Sequence, residues 1–290
     1  MIAIVTDSTC DIPADHPGRA DIHVVPALVT IGQQTLRDEL DISRDTFYNM
    51  LPTLPAIPTT SSPGPAAFLS TYERALRTAD ELVVVIMASQ LSGLYNAARL
   101  AAEELAPERI HLVDSGQLSM GLGWAVLAGL EAARAGEPVE GVIHSIRDTL
   151  SRVRVVAVLN SIEFLARSGR VSLLALGISN LLSIKPIVEL RNGQVKSIAR
   201  VRTWSRALGT LADIVREFGP LERLAIMHSN RLDGVAGLQE RLGDLTLPAE
   251  HIVTTAATTV IGVHVGPGAV GVAAVLSKSG SKQPAALSAG

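Results

Sequence analysis

The stretch ELVVVIMA at 81–88 constrains the fold more than any other feature of this chain. A fully apolar run this short, bounded by polar turns, reads as a strand covered on both faces, which is the environment of a central parallel strand. Its neighbours repeat the theme. IAIVTD at 2–7 is a β-branched run ending in a polar turn, IHVVPALVTI at 22–31 reads as one or two strands, and IHLVDS at 110–115 as another. Between them lie helical patterns: ISRDTFYNML at 42–51, a face of Phe68, Leu69, Tyr72 and Leu76, and SGLYNAARLAAEELA at 92–106 with Leu94, Ala98, Ala101 and Leu105 inward. GLGWAVLAGLEAARAG comes next, stopped by Gly136. Strands alternating with helices up to about residue 150 predict a parallel sheet with helices on its faces.

The second half has a different rhythm. VRVVAVL at 153–159 is a strand, and SIEFLARSGRVS at 161–172 a short helix and turn. The segment 181–203 is a hairpin with Asn192-Gly193 at its turn. A helix, a strand (RLAIMHS), a second helix and two last strands at 251–256 and 270–276 complete it. With 290 residues the chain accommodates two domains. The expected fold is α/β: an N-terminal parallel-sheet domain over 1–152 and a mixed α/β domain over 153–278. The low-complexity residues 279–290 are expected to be a disordered tail.

Composition narrows the function. Aromatic residues make up only 3% of the chain, so the interior is built from Ala, Val, Leu and Ile, and a stacking platform for nucleic acid has no rings to use. A net charge of −3 gives no basic field for nucleic acid. Cys10 is the single cysteine, which excludes an internal disulfide. No apolar run reaches 18 residues, and the N-terminus carries an acid at position 7 without a basic region before it. A soluble cytoplasmic protein is the expectation.

Three motifs bear on chemistry. GPGAVG at 266–271 matches G-x-G-x-x-G formally, but the residues after it are strand-like and only about 19 remain, so it reads as a turn rather than a nucleotide loop. No Walker A, HExxH, CxxC or GxSxG pattern exists, and neither metal nor cofactor is expected. The second motif is a pair of hydroxyl-rich loops. PTTSSPGP at 58–65 precedes one helix, with Ser62 as expected N-cap and Pro63 at the first helical position. ASQLSG at 88–93 precedes another, with Ser92 as expected cap. In an open α/β sheet such loops border the ligand crevice, and helix N-termini there suit a carboxylate or phosphate; as caps alone they need bind nothing. Asp7 and Ser8 lie at the same end, where capping is the simpler role. Third, Arg200, Arg202 and Arg206 cluster in SIARVRTWSR, with Arg167 and Arg170 nearby, either as a solvated face or as an anion clamp. His264, inside the glycine-dense run VIGVHVGPGAVGVA, is either a core histidine or a polar group on the wall of a site.

Taken together, IVTDST (4–9), IPTTSSP (57–63), LSGLYNAA (91–98), VDS (113–115), FLARSGRVS (164–172), IKPI (184–187), VRT (201–203) and HVGPGAVG (264–271) resemble the DegV family, the fatty-acid-binding B subunits of bacterial fatty acid kinase. The resemblance implies a ligand tunnel between two domains, holding a long-chain fatty acid such as palmitate or oleate. It implies that Thr60 and Ser92 bind the carboxylate, joined by His264, with Ser61, Arg170 and Arg202 as head-group or partner contacts. It also implies presentation of that carboxylate to a separate ATP-dependent kinase subunit, exchange of lipid with a membrane surface, a place in phospholipid synthesis, and no catalytic residue of its own. The chain departs from the family pattern at Ser62, Ser168, Trp204 and Ser205, none of which removes the two hydroxyls. Burying about 14 methylenes at roughly 0.8 kcal/mol each would offer on the order of 11 kcal/mol before the cost of ordering the chain. The alternatives are an α/β transferase or hydrolase acting on a small anionic substrate, with Ser92 as nucleophile and His264 as base, and a scaffold carrying an incidental lipid.

Overall fold

The computed structural model describes residues 1–168, 184–248 and 251–278. Its first sheet is parallel throughout, with β1 (Ile2–Asp7), β2 (Ile22–Val25), β6 (Glu81–Ile86) and β7 (Ile110–Asp114) in the order β2-β1-β6-β7. Leu82 to Ile86 are fully buried, as a central strand with both faces covered requires. β3 (Leu28–Ile31), β4 (Gln34–Arg37) and β5 (Thr59–Ser61) form a small antiparallel sheet in the order β4-β3-β5. β5 lies within the stretch expected to be loop: Val29 pairs with Thr60, and that ladder draws the Pro-rich segment into extended backbone.

The helices α1 (Arg44–Met50), α2 (Pro65–Ala75), α3 (Leu94–Leu105), α4 (Met120–Arg134) and α5 (Val139–Arg152) accompany this half. α3 buries Leu94, Ala97, Ala98, Ala101 and Ala102, a stripe of the expected spacing. α4 is apolar on nearly every side because it lies between sheets, and its Trp124 indole donates to Ala273 O at 3.0 Å.

The second sheet is mixed, formed by β8 (Val153–Val158), β9 (Lys185–Arg191), β10 (Gln194–Val201), β11 (Leu221–His228), β12 (Ile252–Ala256) and β13 (Val270–Leu276). Their order is β10-β9-β8-β13-β11-β12, antiparallel except for β11 with β12. α6 (Glu163–Arg167) comes after β8, and α9 (Thr259–Val265) after β12. α7 (Trp204–Glu217) and α8 (Leu232–Arg241) pack with one face of this sheet around Val156, Val158 and Val272. The main buried cluster runs from Ile4 and Val83 through α4 to Val155 and Ala273, so the two large sheets share a core.

The β9–β10 hairpin turns at Asn192 and Gly193, with φ of 51° and 73°, the left-handed pair that a two-residue turn of this type demands. Its tip rests on the N-terminal half: Gly193 N–H donates to Gly116 O at 2.7 Å. A Cβ at Gly193 would meet only the movable amide end of Gln90, so it is the positive φ of the turn that calls for glycine there.

Candidate ligand site

The strands and turns above converge on a mainly apolar cavity of about 230 Å³, whose lining includes several hydroxyls and one imidazole. Thr60 reaches it from β5, where the alternation of the strand turns Thr60 inward and leaves Thr59 and Ser61 more exposed. Ser92 reaches it from the turn between β6 and α3, and His264 from the last turn of α9. The Thr60 hydroxyl and His264 Nε2 are hydrogen-bonded at 2.9 Å, although 204 residues separate them in sequence. With Nε2 protonated, the ring donates to the threonine oxygen, and the threonine proton can turn to an acceptor in the cavity. The Ser92 hydroxyl oxygen accepts weakly from Leu94 N–H at 3.4 Å, which leaves its own proton to donate.

The turn after β6, which carries Ser92, is tied to the turn after β1. Asp7 is fully buried and accepts from Thr9 N–H at 2.9 Å, Thr9 Oγ1 at 2.6 Å and Met87 N–H at 2.9 Å. Burial pushes the Asp7 pKa up, against the pull of those hydrogen bonds. Thr9 and Met87 both line the cavity, so this carboxyl joins the turns after β1 and β6. Capping is thus the role of Asp7, as expected, while the neighbouring Ser8 accepts from Ala27 N–H at 3.1 Å.

The other wall is made by the second sheet. Val155 and Ala157 on β8, Val188 and Leu190 on β9, and Val195 on β10 face the cavity. Val155 pairs with Leu190, Ala157 with Val188, and Leu190 in turn with Val195, so one apolar face spans three strands. A further hollow of about 70 Å³ shares Val155, Ala157, Leu159 and Ile261 with it and extends toward Met227 and Gly271.

Two capping expectations need correction. α2 begins at Pro65 with Gly64 as its N-cap, two residues later than expected, because β5 keeps the chain extended through Ser61; the Ser62 hydroxyl donates to Pro63 O at 3.2 Å. α3 begins at Leu94 with Gly93 in the cap position, one residue beyond Ser92. Both shifts release the serines from the cap position, and both serines line the cavity, as does Ser61. Arg202 is exposed between β10 and α7 and is not among the lining residues. Arg170 and the tail 279–290 lie outside the described residues. Sequence reasoning did not single out Thr9 or the strand wall, yet the wall has a signal: Val155-Ala157-Leu159 and Val188-Leu190 recur at a spacing of two, which places each set on one face.

GPGAVG is a turn from α9 into β13. Gly266 has φ of 70°, and a Cβ there would fall 2.4 Å from the Phe164 ring. Among the described residues no group of three or more His, Cys, Asp or Glu side chains is placed to hold a metal ion, and no helix is long and apolar enough to cross a membrane.

Comparison with known proteins gives a consistent picture. Residues 1–277 match the family described as "Uncharacterised protein, DegV family". A DegV domain-containing protein of Deinococcus radiodurans is 34% identical over 278 residues, covering 94% of this chain and 97% of its own. A solved structure of a fatty-acid-binding DegV family protein from Thermus thermophilus superposes with a TM-score of 0.85 at 31% identity, covering 95% of this chain and 99% of that one. The structure of DegV, a fatty acid binding protein from Bacillus subtilis, gives 0.81 at 27% identity, with 95% and 99% covered.

Proposed function

From the premise that this chain belongs to the DegV family, we propose that it binds one long-chain fatty acid, with the acyl chain in the apolar cavity and the carboxylate at its hydroxyl-bearing end. The observation that carries this reading is the Thr60–His264 hydrogen bond at the polar end of an otherwise apolar cavity, with Ser92 lining the same space. A carboxylate entering such a place must be hydrogen-bonded, because a buried unpaired charge is costly. Thr60 and Ser92 supply donors, and His264 orients the first. The fatty-acid binding described for the proteins of Thermus thermophilus and Bacillus subtilis supports the reading.

The finer reading is that the chain is a lipid-binding subunit rather than an enzyme. It presents the carboxylate to a separate kinase subunit for acyl-phosphate formation in the cytoplasm and exchanges lipid with a membrane surface. Ser61, Arg170 and Arg202 are then head-group or partner contacts; Arg202, exposed and outside the cavity lining, suits the partner role. The division into units of 1–152 and 153–278 belongs to this reading, and the change from the parallel to the mixed sheet supports it. The hydrolase alternative paired Ser92 with His264, whereas His264 Nε2 is engaged by Thr60.

The test is native mass spectrometry of the purified protein, followed by denaturing extraction. One fatty acid per chain, with no turnover of acyl or phosphoryl esters, is the expected result. An empty protein that takes up neither palmitate nor oleate would overturn the reading.

A further inference from the structure

α9 carries His264 at its last turn, and its first turn is held by two carboxylates from the other half of the chain. Thr258 N–H donates to Asp11 Oδ1 at 2.7 Å. Thr259 donates to Asp38 Oδ1 twice, from Oγ1 at 2.6 Å and from N–H at 3.3 Å. Asp11 and Asp38 are 0% and 1% exposed. Side-chain oxygens at a helix N-terminus accept from N–H groups that have no partner within the helix.

The surroundings reinforce the grip. The Ser119 hydroxyl donates to Asp11, and Thr255 Oγ1 donates to Asp11 O at 3.0 Å. The Arg44 guanidinium, paired with Glu39, donates to Thr255 Oγ1 at 3.0 Å and to Ala256 O. Tyr48 Oη donates to Ala257 O at 3.1 Å. Every one of these anchors precedes or enters α9 at its N-terminal end.

α9 has only seven residues, too few to be stable without tertiary contacts. At about 1.5 Å of rise per residue, His264 sits roughly 7.5 Å along the axis from Thr259. A displacement of the first turn is carried toward the imidazole, while the Ser229 hydroxyl, donating to Gly266 O at 2.6 Å, holds the other end of the helix. We infer that Asp38 and Asp11 are positioning residues for the carboxylate site: by fixing the first turn of α9 they set the place at which His264 meets Thr60. The inference rests on the reading of Thr60 and His264 as carboxylate-binding groups.

The experiment compares Asp38→Ala with Asp38→Asn, whose side-chain oxygen can still accept from Thr259. The first readout needs no lipid: the His264 imidazole Cε1–H signal in the NMR spectrum of ligand-free protein, assigned by its loss in His264→Gln. The second is affinity for palmitate against affinity for hexadecanol, which has the chain but no carboxylate. Asp38→Ala is expected to move the His264 signal and weaken palmitate roughly tenfold or more, leaving hexadecanol within about threefold. Asp38→Asn restores both. In a His264→Ala background Asp38→Ala costs no further palmitate affinity. Thr259→Ala, which removes one hydroxyl donor, gives the same pattern at smaller size and serves if Asp38→Ala does not fold. Equal loss of palmitate and hexadecanol, an undiminished loss in the His264→Ala background, or an unmoved His264 signal would overturn the inference. If wild-type protein takes up no palmitate, the fatty-acid reading fails, and the ligand-free signal still decides the positioning role.

Discussion

Around the cavity the four-stranded parallel sheet contributes only the connections beyond its strands, whereas the six-stranded mixed sheet contributes its face. Thr9, Ala27, Met87, Ser92 and Leu118 all lie in connections after strands of the first half. Val155, Ala157, Val188, Leu190 and Val195 all lie on strands of the second. The difference comes from backbone chemistry. Strand ends release N–H groups and place short polar side chains where they can donate, which suits a charged group. A sheet face has spent its backbone hydrogen bonds on the ladder and offers side chains alone, which suits a hydrocarbon. His264 joins the two: it belongs to the second half and is hydrogen-bonded to Thr60 of the first.

The comparison can be broken most severely from the face. Val188→Asp places a carboxylate where Val188 is 8% exposed, on a wall shared with the apolar side chains of Val155, Ala157, Leu190 and Val195. It should cost about 3 kcal/mol of stability or more and abolish palmitate uptake, read by chemical denaturation and by titration. A folded variant with unchanged uptake would remove the strand face from the site.

Thr60→Ala attacks the other side. It deletes a donor to a charged group and the partner of His264. The expected loss is about 1.5–3 kcal/mol in palmitate affinity, or roughly 10- to 150-fold, with hexadecanol little changed.

Asp11 sharpens the seam between the halves. Burial raises its pKa to about 7, against the opposing pull of Arg44 and of the bonds from Ser119 and Thr258, while Glu39 pushes the same way as burial. The native state thus keeps a proton that the unfolded chain has lost at a lower pH. Its contribution to stability is complete below the ordinary carboxylate value and is lost as pH rises through about 7. The stability of wild type relative to Asp11→Asn should therefore fall between about pH 4 and 8, by on the order of 3–4 kcal/mol. A difference that is flat or rises with pH contradicts this.

The smallest effect belongs to Arg202→Ala. That side chain is exposed and lies outside the cavity lining. Stability and palmitate affinity should both stay within about 0.5 kcal/mol of wild type.

Much of the fold is legible in the sequence because periodicity reports burial directly. Val83 to Ile86 form an unbroken apolar run because both faces of β6 are covered, and Asn192-Gly193 announces its own turn. β5 is not legible: its three residues carry no periodic signal, and only the ladder with β3 makes Thr59–Ser61 a strand. The cap of α2 moves with it from Ser62 to Gly64. α5 is hard to see although Val139, Val142 and Ile146 mark a helical face, because charged residues interleave them. The hydroxyls are visible as residues, but the Thr60–His264 bond is not, since it depends on how a strand and a helix far apart in sequence are brought together. The grip of Asp11 and Asp38 on α9 is hidden for the same reason: nothing local distinguishes a buried carboxylate from a solvated one.

The division of labour between polar turns and apolar face is tested most directly by titrating wild type and the Thr60→Ala/Ser92→Ala double variant with palmitate and with hexadecanol. If Thr60 on β5 and Ser92 in the turn after β6 hold the carboxylate and the sheet face holds the chain, the double variant loses at least about a hundredfold in palmitate affinity and keeps hexadecanol within about threefold. Equal losses for both ligands, or none for either, would contradict it.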